Sequence, residues 1–314
     1  MKKILVIGDL ILDEYVIGKN YKMSDEAPVP ILRVDEFVPK LGGAANVANN
    51  IKSLGGDVIL CGAIGESKNG LSAGRFIYAM NESKLSTHYI VQGGMKTTTK
   101  SRVMIKNQQV ARFDYEDSTI PEKVKKEIID KLKYLDFSKI SLIVVSDYKK
   151  GVISKEIIEF LKLSGVKIII DPKPLDDSLY MGVYCITPNL KEFNLFNNSN
   201  LTSNNIEELK VASKEYMKNM SLENIIITLG EKGALCCSDK SCELISNHIV
   251  DVANTIGAGD TFISALSLKV SEGEDLIKSV KIANMAASIV VSKKYTGVCT
   301  MKEIEKLQEK ETNG

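Results

Sequence analysis

The sequence predicts an α/β protein with a mainly parallel central sheet flanked by helices, and three observations predict it. Short β-branched runs alternate with segments of helical spacing, most of those runs are apolar throughout, and two stretches of period two interrupt the rhythm.

The first run is ILVIG at residues 4–8, followed further on by a helical pattern at 44–54 with Val47, Ala48, Ile51 and Leu54 on one face, and then by DVILCG. A second helical pattern starts at Pro121 and aligns Val124, Ile128, Ile129, Leu132 and Leu135 ahead of the run SLIVVSD. A helix over 154–163 precedes VKIIID, and YCIT and NIIITLG follow; the polar stretch FNNSNLTSNN reads as a surface loop before a helix. Continuous apolar strands between amphipathic helices imply a sheet covered on both faces. The interruptions lie at about 13–39 and 86–114, where KTTTKSRVMIKNQQVARFDYE alternates with period two. Together they predict a small antiparallel β lid inserted twice into a single domain spanning 1–314, over the strand ends. A dimer face made of the same strands is compatible with that lid. No repeat, low-complexity tract or dividing linker is visible.

Composition narrows the function. Forty-one basic side chains against forty acidic ones leave a net charge of +1, so no overall field draws nucleic acid or an anionic membrane, and any anion must meet a local site. No apolar stretch is long enough to span a bilayer, and Asp9 and Asp13 interrupt the N-terminal run too early for a signal peptide, which predicts a cytoplasmic protein. The six cysteines form no CxxC pair and mostly sit in apolar runs, so they are expected as buried small hydrophobes without a metal or disulfide role. With only His88 and His248 present, acid–base chemistry should rest on carboxylates.

The sharpest local signal is NTIGAGDTFISALSLKV at 254–270, where Gly257, Ala258 and Gly259 lead into Asp260 and a helical pattern. A helix start stripped of side chains presents unpaired amides and the positive end of the dipole to an anion. A carboxylate beside that anion makes sense as a base accepting the proton of an attacking hydroxyl; the alternative is an N-cap aspartate behind a glycine turn. A second signal, LGGAANVANNIKSLGG, sets Gly42 and Gly43 before Asn46 on a first helical turn, suited to a polyol or simply a glycine turn before a helix. Asp13, following the first strand, is a third candidate. Neither GxxxxGK[ST] nor a strand-to-helix GxGxxG is present, which argues against a P-loop or a dinucleotide site.

Taken together these residues resemble the ribokinase-like carbohydrate kinases, the phosphofructokinase B family. Its first signature matches Gly42, Gly43, Asn46, Ala48, Gly55 and Gly65, and its second matches Asn254, Thr255, Gly257, Ala258, Gly259 and Asp260. The segments GDLILDEY, SDEAPVP, SRVMIKNQQVARFD, SDYKKG, IDPK and TPNLKEF are similar to one branch, the bacterial heptose 7-phosphate kinases, often found as half of a bifunctional ADP-heptose synthase. The resemblance implies a ribokinase-like fold and transfer of phosphate from ATP, with Mg²⁺, to O1 of D-glycero-D-manno-heptose 7-phosphate for lipopolysaccharide core synthesis. The nucleotidyltransferase half of the bifunctional form is not expected within this sequence.

Carried over by position, the resemblance makes Asp260 the base and Gly257, Ala258 and Gly259 the anion hole. Asp13, Gly42, Gly43 and Asn46 would hold sugar hydroxyls, while Arg102, Asn107, Gln108 and Arg112 of the lid would meet the phosphorylated sugar. Asn189 and Glu192 match an NxxE element that organises Mg²⁺, partly through water. Thr228, Gly230, Gly233 and Asn284 correspond to the nucleotide side, and Lys173 either reaches phosphate or is a solvated loop lysine. Asn254 and Ile256 stand where many relatives line a monovalent-cation site, so K⁺ is not carried over. The rivals are a kinase of the same fold acting on fructose phosphate, ribose or a nucleoside, and a non-catalytic sugar-phosphate sensor. A homodimer through the lid is expected, because small exposed sheets have edges and faces to cover.

Overall fold

The computed structural model describes residues 2–66, 70–106, 108–173, 177–247 and 253–312. The chain opens with β1 (Lys3–Gly8) and leaves at once for a long hairpin, β2 (Leu10–Met23) and β3 (Pro30–Gly43). Helix α1 (Ala44–Ser53) brings it back as β4 (Val58–Gly65), and α2 (Leu71–Glu82) leads to β5 (Ile90–Gly93). A second hairpin, β6 (Thr99–Ile105) and β7 (Gln108–Tyr115), is followed by α3 (Glu122–Lys133), β8 (Ile140–Ser146), α4 (Lys155–Lys162) and β9 (Ile168–Asp171). Next come β10 (Cys185–Ile186), α5 (Leu190–Phe196), α6 (Ile206–Asn219), β11 (Asn224–Thr228), β12 (Ala234–Ser238) and β13 (Cys242–Ile245). Three helices close the chain: α7 (Ala258–Ser271), α8 (Leu276–Val291) and α9 (Met301–Thr312).

The described strands form a nine-stranded sheet in the order β13-β12-β11-β10-β9-β8-β1-β4-β5, parallel from β11 to β5, with β12 and β13 added antiparallel. Alternation within β1 sends Ile4 and Val6 to a core shared with α1, α2, α7, α8 and α9, and Leu5 and Ile7 to one shared with α3, α4, α5 and α6. Two buried faces explain why the parallel strands are apolar at every position. From β1 the chain builds outward to β4 and β5 on one side and, later, to β8 through β11 on the other. This reversal opens a crevice at the carboxyl ends of the strands, where open α/β sheets bind ligands. Among the described residues no helix is long and apolar enough to cross a membrane.

The lid is a four-stranded sheet, β3-β2-β6-β7, in which two antiparallel hairpins join through a parallel pairing of β2 with β6. Its extent corrects the expected limits. The first excursion is wider than 13–39, and the second starts at Thr99, because residues 90–93 pair in parallel with β4 at the edge of the main sheet. Four short residues of strand give too little alternation to reveal which sheet they join. The cysteine expectation is also corrected for one pair. Cys237 and Cys242 face each other across the β12–β13 hairpin and are joined as a disulfide, whereas Cys61, Cys185, Cys236 and Cys299 are buried thiols. Cross-strand register brings the two sulfurs together without any CxxC spacing.

Candidate active site

The carboxyl ends of β1, β8, β9, β10 and β11 deliver Asp9, Tyr148, Asp171, Asn189 and Thr228 to one edge of the sheet, opposite the start of α7. Gly257 caps α7 with a left-handed φ of 80°, which turns the chain sharply and leaves the first amides of the helix without intrahelical partners. A Cβ at Gly257 would lie 3.0 Å from the Asn46 amide nitrogen, and one at Gly259 would meet only open space. The backbone here is therefore both tightly packed behind and open in front.

Asp260 sits on that first turn with only 4% of its surface exposed. Asn46 Nδ2 donates to its Oδ2 at 2.7 Å, and Tyr148 Oη donates to its Oδ1 at 2.7 Å. Burial pushes the carboxyl up to about 6; the bonds from Asn46 and Tyr148 hold it down, the charge of Asp13 raises it, and Lys173 lowers it. Asp13 in turn is paired with Arg102 Nη1 at 2.6 Å, and Thr296 donates to its other oxygen at 3.4 Å. Gly42 and Gly43 leave room for this arrangement, since a Cβ at Gly42 would fall 2.6 Å from Asp13 Oδ2 and one at Gly43 2.4 Å from the Asp9 carbonyl.

On the far side of α7 a cavity of about 520 Å³ is lined by Thr228, Gly230, Ala258, Gly259, Phe262 and Asn284, among others. Asn284 donates to the carbonyls of Ile245 and Ser246 at 3.0 and 3.3 Å, so it fixes the end of β13 as well as lining the cavity. Gly233 is required by the backbone: its φ is 94°, and a Cβ there would lie 2.0 Å from the Ile245 carbonyl.

Asn189 and Glu192 form a capping box on α5, with Asn189 Oδ1 accepting from Glu192 N and Glu192 Oε2 accepting from Asn189 N, both at 2.9 Å. The second oxygen of Glu192 is ion-paired to Lys173. Lys173 thus lies between Glu192 and the Tyr148 ring, 5.4 Å from its centroid, rather than solvated. Burial alone would depress its ammonium, but Asp171 and Glu192 outweigh it and raise the value. Among the described residues no side chain donates a hydrogen bond to Asp171, and burial, with the charges of Glu192, Asp260 and Asp147, pushes it up to about 8 against the pull of Lys173. Such a carboxyl, together with the Glu192 carboxylate beside Lys173, suits a hard cation that keeps much of its water. Among the described residues no cluster of three or more His, Cys, Asp or Glu would enclose a metal.

The lid divides the expected sugar contacts. Arg102 is buried, with Nη1 paired to Asp13 and bonded to the Lys100 carbonyl, and its guanidinium lies over the Tyr15 ring at the lid root. Arg112 stands opposite Arg102 on β7, on the same face, and forks onto Asp114 at 2.9 and 3.0 Å while remaining exposed. Gln108 pairs with Ile105 at the hairpin tip, which alternation puts on the opposite face, and Asn107 lies outside the described residues. Sequence reasoning assigned no role to Tyr148, Asp171 or Thr296. For the first two, a polar residue directly after an apolar strand was the available signal.

The pfkB carbohydrate kinase family model matches residues 1–303. The chain belongs to the pfkB family of carbohydrate kinases. This sugar kinase is 35% identical over 312 residues to the bifunctional protein HldE of Sulfurimonas denitrificans and 38% identical over 310 residues to that of Shewanella loihica. Those matches cover 98% and 96% of the chain but 64% and 62% of the relatives, so the kinase spans under two thirds of their length. Among solved structures, phosphofructokinase-2 from Escherichia coli in complex with potassium superposes with a TM-score of 0.81 at 20% identity, covering 98% of both chains. Ribokinase from Thermotoga maritima does so with a TM-score of 0.74 at 18% identity, over 98% of this chain and 100% of that one. The fold is ribokinase-like.

Proposed function

We propose that this kinase transfers the γ-phosphoryl group of ATP to O1 of D-glycero-D-manno-heptose 7-phosphate, giving the 1,7-bisphosphate. The observation that carries the transfer is the placing of Asp260: a buried carboxylate between an open cavity and the Asp13 lid root, at a helix start whose amides face outward. The likeness to HldE proteins supports the heptose. ATP would occupy the cavity beside Thr228, Gly230 and Asn284, and the sugar would lie under the lid near Asp13, Gly42, Gly43 and Asn46. Mg²⁺ bound near Asp171 and Glu192 would supply charge neutralisation at the phosphates.

The chain's own groups account for the rest. Asp260 accepts the proton of the O1 hydroxyl as that oxygen bonds to the γ-phosphorus and the bond to the β–γ bridging oxygen breaks, releasing ADP. Amides of Gly257, Ala258 and Gly259 stabilise the migrating phosphoryl. Arg112, on the lid face that carries Asp13, meets the 7-phosphate by exchanging Asp114 for it. An ionised carboxylate held by two donors in a buried pocket fits a base better than a passive sugar-phosphate sensor.

ADP release over a panel of sugars tests this reading. Heptose 7-phosphate should exceed the free heptose and hexose 6-phosphates, and Arg112→Ala should cost roughly ten-fold to a hundred-fold in kcat/KM on the phosphorylated sugar alone. Preference for fructose 6-phosphate, ribose or a nucleoside would sink the heptose assignment and leave the kinase intact.

A further inference from the structure

Tyr148 follows β8 in a loop that is anchored on Asp9, just after the neighbouring strand β1. The Tyr148 and Lys150 amides donate to Asp9 Oδ2 at 2.8 and 3.0 Å, and the Val152 amide donates to Asp9 Oδ1 at 3.1 Å. Asp9 is the residue after β1 and is 1% exposed. Three amides converging on one buried carboxylate fix the path of the loop. The phenol ring then extends under Lys173, and its hydroxyl ends 2.7 Å from Asp260 Oδ1.

We propose that Tyr148 is a positioning residue for the base: the Asp9-anchored loop aims its hydroxyl at Asp260 Oδ1, so that Tyr148 and Asn46 hold the carboxylate in one rotamer. The inference rests on Asp260 being the base. An ionised carboxylate only accepts, and with one lone pair on each oxygen already used it keeps acceptor capacity for the sugar hydroxyl. Two donors on different elements, α1 and the loop after β8, prevent rotation about the Cβ–Cγ bond. The phenol is a dependable donor, because burial and the nearby charges of Asp260, Asp171 and Asp13 raise it well above an ordinary tyrosine. The charged and titratable groups facing Asp260 are Asp13 from β2, Asp171 and Lys173 from the end of β9, and Tyr148 itself. Asp13 is ion-paired with Arg102, and Lys173 is shared with Glu192. Tyr148 is therefore the titratable group that acts on Asp260 by direct contact.

Tyr148→Phe keeps the ring and removes the hydroxyl, so far-ultraviolet circular dichroism and ATP binding should match wild type. Turnover should fall about ten-fold to a hundred-fold, the range for a hydrogen bond to a charged group, with KM for sugar and ATP within about two-fold. The acid limb of the kcat–pH profile should move to higher pH, since losing a donor to the charged form favours the protonated acid. In an Asp260→Asn background the same change should cost little more, because both act through one group. An unmoved acid limb with unchanged kcat, or a loss confined to sugar KM, overturns the positioning role. If Asp260→Asn itself retains near wild-type turnover, the base assignment fails instead, which separates the two ideas.

Discussion

Asp260 is the residue on which opposing physical effects meet. Burial disfavours its charge, while Asn46 and Tyr148 favour it, and the balance leaves its carboxyl at about 6. A base at that value is ionised at neutral pH yet still able to take a proton, which is the compromise general-base catalysis requires. The sign follows directly: as pH falls through about 6 the base is protonated and kcat should decline, approaching ten-fold per unit below it, while ATP binding persists. Asp260→Asn should abolish this acid limb and cost about 10²-fold to 10⁴-fold in turnover, measured by coupled ADP release with ATP affinity as the control. Turnover within three-fold of wild type would remove Asp260 from the chemistry.

At the level of the element, α5 shows how a helix start serves two ends. Its capping box satisfies orphan amides through Asn189 and Glu192, and the same Glu192 turns its other oxygen to Lys173 beside Asp171. Stability and charge are separable there. Glu192→Gln keeps a side-chain acceptor for the Asn189 amide but removes the charge, so the melting temperature should change little. The Mg²⁺ concentration for half-maximal rate should rise several-fold, because water ligands of the cation lose an anionic acceptor. An unchanged metal titration would confine Glu192 to capping and to pairing Lys173.

For the whole molecule, the lid gives its two faces different tasks. Asp13, Arg102, Arg112 and Asp114 share the charged face, while Val16 pairs with Phe37 and Val103, and Val103 with Ala111, in an apolar row across all four strands of the other. Phe113 lies on that second face and is 63% exposed. We propose a homodimer in which these apolar faces pack together, leaving the charged faces over the two sites. Phe113→Glu should convert the dimer to monomer in sedimentation equilibrium without loss of secondary structure, since the side chain is exposed in the single chain. A wild-type monomer, or a dimer untouched by Phe113→Glu, would place the interface elsewhere.

The alternation of apolar runs with helical spacing determined the central sheet, because strands buried on both faces and helices buried on one leave distinct periodicities in a linear chain. The GAGD turn at 257–260 was equally legible, since a helix start without side chains is a local property. What only the tertiary structure decided are the partners. Asn46 reaches Asp260 across 214 positions, Tyr148 across 112, and Arg102 reaches Asp13 across 89. Those pairings set Asn46, an expected sugar ligand, against the base, and joined Arg102 to Asp13 at the lid root. They also pulled 90–93 into the main sheet and joined Cys237 to Cys242. Spacing along the chain encodes local periodicity, but hydrogen bonds and ion pairs between distant segments depend on strand order and register, which are set only when the sheet closes its core.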